Sequence, residues 1–351
     1  MAQWNRAMTD RAKRIFEQEI ADGVIHGATI LALDPYGEEI RASCGWADAA
    51  HARPMTPTTV IDVASVTKAT AGVTAFLVAH RKGLVDFDAP IADVLPTFSA
   101  PVSRRLTIRD LANHVSGYGE ADGWPRIYVD ADPKKMLANV LSMPPAMPEP
   151  GKVTYSCRNY ILLGQALEAI TGQPLAQFCH DEVFVPAGMT DTSLGAPASH
   201  VETGRLAQTM DTPQPGIISD FVARPMWAAG IGTFNAGLFS TAEDLAKLLR
   251  VYLRGGVCDG GTRLFGEAEM AEIAPLKTCR TEGARSFGWQ YADGYLPESL
   301  SGTALFHSGW SGQTVLFDLK LERAVVVLTT RCGDYDRAKR ERFEAIATIL
   351  D

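Results

Sequence analysis

The sequence predicts an α+β protein: a mostly antiparallel sheet built from strands at both ends of the chain, flanked by helices, with an inserted and mainly helical region. Three observations point there. Near the N-terminus, residues 28–33, a turn at Asp34-Pro35-Tyr36-Gly37 and a second run over 40–46 read as a β-hairpin punctuated by Pro and Gly. Near the C-terminus, residues 314–319 alternate loosely, and Ala324-Val325-Val326-Val327-Leu328 is the continuous aliphatic run of a strand buried on both faces. Between these ends the periodicity is helical, over 66–81 after Ser65, over 107–114, over 159–170 closed by Thr171-Gly172, and over 241–253 closed by Gly255-Gly256. Ser240-Thr241-Ala242-Glu243 has the capping-box pattern at the start of the last helix. The first and last strands are therefore expected to share one sheet. Residues 1–62 and 283–351 would form a sheet domain and 63–282 a mainly helical domain, with the active site at their interface.

Composition narrows the function. The chain has 351 residues with 33 Lys+Arg against 41 Asp+Glu, a net charge of −8 that disfavours a phosphate-backbone partner, so neither nucleic acid nor an anionic membrane is expected. No window approaches the roughly 18 uninterrupted apolar residues of a membrane span. The N-terminal residues run into a charged stretch without an apolar core, which reads as cytoplasmic. Cys44, Cys157, Cys179, Cys258, Cys279 and Cys332 are scattered with no C-x-x-C pair, against a zinc or redox centre. Residues 119–150, rich in Pro, Met and aromatics (Trp124, Tyr128, Met143, Pro144, Pro145, Met147, Pro148), are too long and irregular for a simple connection. They read as an overhang above a site or as a packed surface loop.

Several catalytic signatures are absent. No serine lies in G-x-S-x-G, no H-E-x-x-H occurs, and neither phosphate-cradling glycine motif is found. What remains is Ser65-Val66-Thr67-Lys68 at the head of a predicted helix. Residues three apart share a helical face, so the Lys68 amine can reach the Ser65 hydroxyl and take its proton. The helix N-terminus adds partial positive charge beside an oxyanion. Taken alone, the same four residues also suit an N-cap serine followed by a solvated lysine.

The surroundings add weight. Pro54-Met55-Thr56-Pro57 lies upstream; Gly83-Leu84-Val85-Asp86-Phe87-Asp88, Leu95-Pro96 and the run from Leu106 to Gly117 lie downstream, followed by Pro186-Ala187-Gly188-Met189 and the run from Ala236 to Leu245. With these residues the chain resembles, over about 27–331, the serine β-lactamase and penicillin-binding-protein superfamily, and above all the class C β-lactamases and related carboxylesterases. The resemblance implies a β-lactamase/transpeptidase-like fold and three motifs. Ser65 and Lys68 supply the first. Tyr155-Ser156-Cys157 occupies the place of Tyr-x-Asn, making Tyr155 the group that shares the proton and later protonates the leaving group. Cys157 departs from the family asparagine, and a thiol is a weak donor and weak acceptor, so the amide contact is lost or rerouted; a small buried hydrophobe is the expectation, a catalytic thiol the alternative. His307-Ser308-Gly309 stands where Lys-Thr-Gly is expected, and Trp310 follows it, so the oxyanion hole would pair the N–H groups of Ser65 and Trp310. Histidine for lysine removes a fixed cation.

The implied chemistry is acyl transfer through a covalent Ser65 intermediate, on a small-molecule ester or amide, with no cofactor and no metal. Both departures weaken recognition of an acylamino group and a carboxylate. A carboxylesterase on small or medium esters, with weak or no β-lactamase activity, is therefore expected first. A β-lactamase, a D-amino-acid peptidase or an acyltransferase on the same nucleophile are the alternatives, and a non-catalytic sensor follows them.

Overall fold

The computed structural model describes residues 6–37, 39–119, 132–145, 152–210, 212–273, 284–292 and 300–350. Its strands are β1 (Ile25–Leu33), β2 (Glu39–Gly45), β3 (Ile61–Asp62), β4 (Ser193–Leu194), β5 (Leu238–Ser240), β6 (Arg285–Ser286), β7 (Trp289–Tyr291), β8 (Ala304–Ser308), β9 (Gln313–Asp318) and β10 (Arg323–Arg331). Seven of them form one antiparallel sheet in the order β2-β1-β10-β9-β8-β7-β6, and the other three a small sheet ordered β3-β5-β4.

The N-terminal hairpin forms as its residues predict. Asp34 Oδ1 accepts the N–H groups of Tyr36 and Gly37 at 2.8 and 2.9 Å, and Gly37 takes the positive φ, 101°, that the turn requires. β1 then pairs with β10, Leu31 opposite Val326, so the two ends of the chain lie side by side in the sheet interior. Successive side chains point to opposite faces. Leu31, Leu33, Val326 and Leu328 join the core shared with the helical region, while Ile30, Ala32, Val325 and Val327 pack with the terminal helices Arg6–Ala21 and Tyr335–Leu350. Both faces are dry, which is why the β10 sequence is aliphatic without alternation.

The helices follow the sequence pattern with four differences. The helix after Ser65 opens with wide π-type turns over Lys68–Val73 before becoming regular over Thr74–Arg81, a change that a 3.6-residue periodicity does not reveal. A second helix runs over Cys157–Thr171, two residues earlier than expected, and ends at Gly172 in the left-handed conformation. The cap of Ala242–Leu253 is Thr241, whose hydroxyl accepts the Asp244 N–H at 3.0 Å, one residue later than the expected Ser240 box. The Ser240 side chain is engaged elsewhere: the residue closes β5, and its hydroxyl bonds Thr192 Oγ1 at 2.8 Å. Within 119–150 there is a regular helix, Pro133–Ser142, started by Asp132, which accepts the Lys134 N–H at 2.9 Å. The buried Arg158 guanidinium closes it by donating to the carbonyls of Val140 and Met143, 3.9 Å from the Tyr118 ring centre. Trp124, Tyr128, Met147 and Pro148, on which the expected overhang depends, lie outside the described residues.

The small sheet positions the first motif and the large sheet the third. β3 leads into Ser65, and β8 ends at Ser308. The two meet at Gly309, where a side-chain Cβ would stand 2.7 Å from the Val63 carbonyl oxygen and 3.2 Å from Ala64 Cβ. Replacing Leu31 by Ala leaves a cavity in the core between sheet and helices and is expected to destabilise the fold by about 3 kcal/mol. Equilibrium urea denaturation measures this, and a loss of only a few tenths would contradict the described burial.

Candidate active site

The turn before Ser65 is unusual. Ala64 has a φ of +48°, a left-handed conformation that costs a residue other than glycine about 1 kcal/mol or more. It is held there by the buried Asp62, whose Oδ1 accepts the Ala64 N–H at 3.0 Å, and by the 2.6 Å bond from Thr67 Oγ1 to the Ala64 carbonyl. The turn presents Ser65 at the head of the helix. Three residues on, the Lys68 amine is fully buried and donates to Ser65 Oγ at 3.0 Å, to the Asn235 carbonyl at 2.7 Å and to Cys157 Sγ at 3.4 Å. Tyr155, just ahead of the helix Cys157–Thr171, donates its hydroxyl to Ser65 Oγ at 2.9 Å. One serine oxygen thus receives both an amine and a phenol.

Cys157 is buried, as expected of a small hydrophobe, and its thiol also meets polar partners. Its sulfur lies 3.4 Å from the Lys68 amine and 3.9 Å from the Tyr155 hydroxyl. The third motif forms the facing wall. His307 is buried on β8, and its Nδ1–H donates to the Ser308 carbonyl at 3.1 Å, which leaves Nε2 as an acceptor. Ser308 Oγ bonds Thr314 Oγ1 at 3.1 Å. Gly309 is pressed against Val63 and Ala64, bringing the start of the next turn alongside Ser65. Trp310 is 38% exposed, and its carbonyl accepts Arg331 Nε at 2.8 Å. Among the described residues, neither the Ser65 nor the Trp310 N–H donates to a protein acceptor.

Electrostatics separate the roles. Burial, and secondarily the neighbouring Cys157, push the Tyr155 phenol well above its ordinary value, so it stays protonated at neutral pH and donates to Ser65. Burial, then the charges of Arg285 and Lys68, hold His307 well below its ordinary value, and the same causes with His307 itself do so for His114. Both imidazoles are neutral at neutral pH, and the Arg285 and Lys68 charges acting on both are positive. Arg285 has no motif in the sequence; it arrives from β6, its guanidinium 5.8 Å from the centre of the Tyr155 ring. His114 packs against the Tyr155 ring with 4.8 Å between ring centres, accepting the Ser156 N–H at Nδ1. Asn235 and Arg285 reach the site only through partners distant in sequence, and the Asp62 contact to Ala64, though local, belongs to no motif.

Among the described residues no cluster of three or more His, Cys, Asp or Glu could hold a metal ion, and no helix is long and apolar enough to cross a membrane. The family model "Beta-lactamase" matches residues 12–348. A protein of Escherichia coli (strain K12) named "Putative D-alanyl-D-alanine carboxypeptidase" is 26% identical over 305 residues, 78% of this chain and 69% of that one. A penicillin-binding-protein homologue from Caulobacter crescentus superposes with a TM-score of 0.76 at 20% identity, covering 99% of both chains. A class C β-lactamase from Rhodobacter sphaeroides gives 0.75 at 22% identity, over 97% of this chain and 100% of that one. At these identities the structural likeness carries the fold.

The buried histidines make stability depend on pH. In the unfolded chain each titrates near 6.5, whereas in the folded chain each stays neutral well below that value. Above about pH 6.5 neither state gains a proton; below it only the unfolded chain does, so stability falls by up to about 1.4 kcal/mol per pH unit for each histidine. Denaturation midpoints measured between about pH 7.5 and 5.5 are expected to decline on acidification, and His114→Asn to lessen the slope. A slope identical in the variant would contradict this account.

Proposed function

The chain belongs to the Beta-lactamase family and is a serine hydrolase, and from that premise we propose a carboxylesterase that acts through an acyl-enzyme on small or medium esters, with weak or no β-lactam hydrolysis. The observation that carries this reading is the convergence of the Lys68 amine and the Tyr155 hydroxyl on Ser65 Oγ, at 3.0 and 2.9 Å. In this mechanism Lys68 turns a lone pair to Ser65 Oγ in place of the N–H it donates there at rest, and Ser65 Oγ attacks the ester carbonyl as its proton passes to that nitrogen. The N–H groups of Ser65 and Trp310 stabilise the oxyanion. As the tetrahedral intermediate collapses, Tyr155 gives its proton to the departing alkoxide and recovers one from the Lys68 ammonium. Water then attacks the acyl-enzyme, its proton returning through the same pair to Ser65. A phenol held protonated by burial suits the acid role, which leaves Lys68 as the base. The same reading takes the cleft as the interface between the sheet unit, residues 1–62 and 283–351, and the helical unit, residues 63–282.

The substrate preference rests on two substitutions. Neutral His307 stands where the family motif has a lysine, and Cys157 where it has an asparagine amide. Two neighbours of the same fold, described as "EstCE1, a hydrolase with promiscuous acyltransferase activity" and as a family VIII carboxylesterase, are consistent with this choice. A second reading is a D-amino-acid peptidase, and one observation favours it. Arg285 supplies positive charge beside Tyr155, where a leaving group bearing a carboxylate would lie, and the E. coli relative is named as a carboxypeptidase.

Hydrolysis of p-nitrophenyl acetate and butyrate, a chromogenic cephalosporin and a D-alanyl-D-alanine peptide, followed beside Ser65→Ala, tests the reading. The esters are expected to turn over fastest, with a loss of about a thousandfold in the variant. Unchanged ester hydrolysis in Ser65→Ala would refute the nucleophile. Arg285→Gln separates the two readings: kcat/KM for neutral esters is expected within about twofold of wild type, whereas a peptidase would lose about tenfold or more on the peptide alone.

A further inference from the structure

Ser65 and Lys68 are both held by a short segment that no motif includes. Asp62, fully buried, uses both carboxylate oxygens: Oδ1 accepts the Ala64 N–H at 3.0 Å, and Oδ2 accepts the Ser219 N–H at 2.7 Å and the Ser219 hydroxyl at 2.6 Å. Among the described residues, the next residue, Asp220, accepts through Oδ1 alone, from the N–H groups of Val222 and Ala223 at 2.9 and 2.7 Å and the Asn235 side-chain amide at 3.2 Å. Asn235 in turn offers its backbone carbonyl to the Lys68 amine at 2.7 Å. The segment is itself braced by Arg224, which donates to the carbonyls of Ile218 and Ser219. One arm therefore ends on the left-handed residue that aims Ser65, and the other on the carbonyl that fixes Lys68.

We infer that Asp62, Ser219 and Asp220 form a two-armed positioning clamp, Asp62 and Ser219 setting the Ser65 turn and Asp220 setting the Lys68 amine through Asn235. None of the three touches the reacting atoms. Their effect comes from geometry, since displacing a nucleophile or its base by about 1 Å can lower a rate by about a hundredfold. The inference rests on the reading of Ser65 as nucleophile and Lys68 as base.

The oxygens used make the two carboxylates respond differently to the same change. Asparagine at 220 keeps the single accepting oxygen, so Asp220→Asn preserves the arm and Asp220→Ala removes it. Asparagine at 62 cannot accept on both sides: its amide nitrogen must face either Ala64 or Ser219, and one N–H loses its partner. The experiment measures acylation by a p-nitrophenyl ester in rapid-mixing kinetics, with KM and the urea midpoint for each variant. Asp62→Asn and Asp220→Ala are expected to acylate about 10- to 100-fold more slowly with KM within about threefold, while Asp220→Asn stays within about twofold of wild type. In a Lys68→Ala background, Asp220→Ala is expected to change the residual rate by less than about twofold, because the group it positions is gone. A loss there as large as in wild type would mean a general structural role and would overturn the clamp, as would wild-type acylation in both Asp62→Asn and Asp220→Ala. Should Asp62→Asn fail to fold, Ser219→Ala removes one donor only and is expected to slow acylation about three- to tenfold; a wild-type rate overturns the Asp62 arm. Ser65→Ala, run alongside, separates the two ideas: full activity there defeats the nucleophile assignment, and its inactivity with unimpaired clamp variants defeats the clamp alone.

Discussion

A lysine amine withdrawn from water must place its N–H donors inside the protein, and this requirement organises the site. The Lys68 donors go to Ser65, Cys157 and Asn235, acceptors that are one helical turn, 89 residues and 167 residues away in sequence. Satisfying them forces the helix after Ser65, the start of the helix Cys157–Thr171 and the segment leading to β5 to converge on one point. Leaving one donor unpaired would cost about 1–3 kcal/mol, more if charged, which is comparable to a sizeable fraction of the stability of a typical domain. The buried amine is thus a structural requirement as well as a chemical one.

The sheet meets that cluster from the other side. Pairing of β1 with β10 brings the two ends of the chain together, and β9 and β8 follow in order outward, so that β8 delivers His307, Ser308 and Gly309 to the nucleophile turn. The approach at Gly309 is close enough that any Cβ would intrude on Val63. Backbone strain reaches the nucleophile turn: Ala64 is left-handed, and Asp62, Thr67 and the β3–β5 pairing share the work of keeping it so. Rigid surroundings let a strained turn persist.

Charge is distributed against the overall composition. The chain carries a net −8, yet the charges acting on the buried imidazoles at the site are those of Lys68 and Arg285. The histidines answer by remaining neutral, and the tyrosine by remaining protonated. Low dielectric around a cation strengthens each interaction it makes, so Lys68 and Arg285 act strongly on a site where His307 itself stays neutral.

Local pattern determined much of this protein by itself. The hairpin turn at Asp34–Gly37, the aliphatic run of β10, the glycine stop at Gly172 and the serine–lysine spacing are readable because their causes act within a few residues: side-chain alternation, backbone freedom at glycine, and the shared face of a helix. Where a second force competed locally, the reading slipped, as when Ser240 was taken up by β5 and Thr192 and the cap passed to Thr241. Only the tertiary structure decided the rest. That Cys157 reaches the Lys68 amine, that Arg285 arrives beside Tyr155, and that Asp62 and Asp220 meet across Ser219 depend on distances between segments far apart in the chain. Burial does the same for protonation: the residue types already favour a neutral histidine and a protonated phenol, but the push of His307 well below and Tyr155 well above their ordinary values comes from the assembled core.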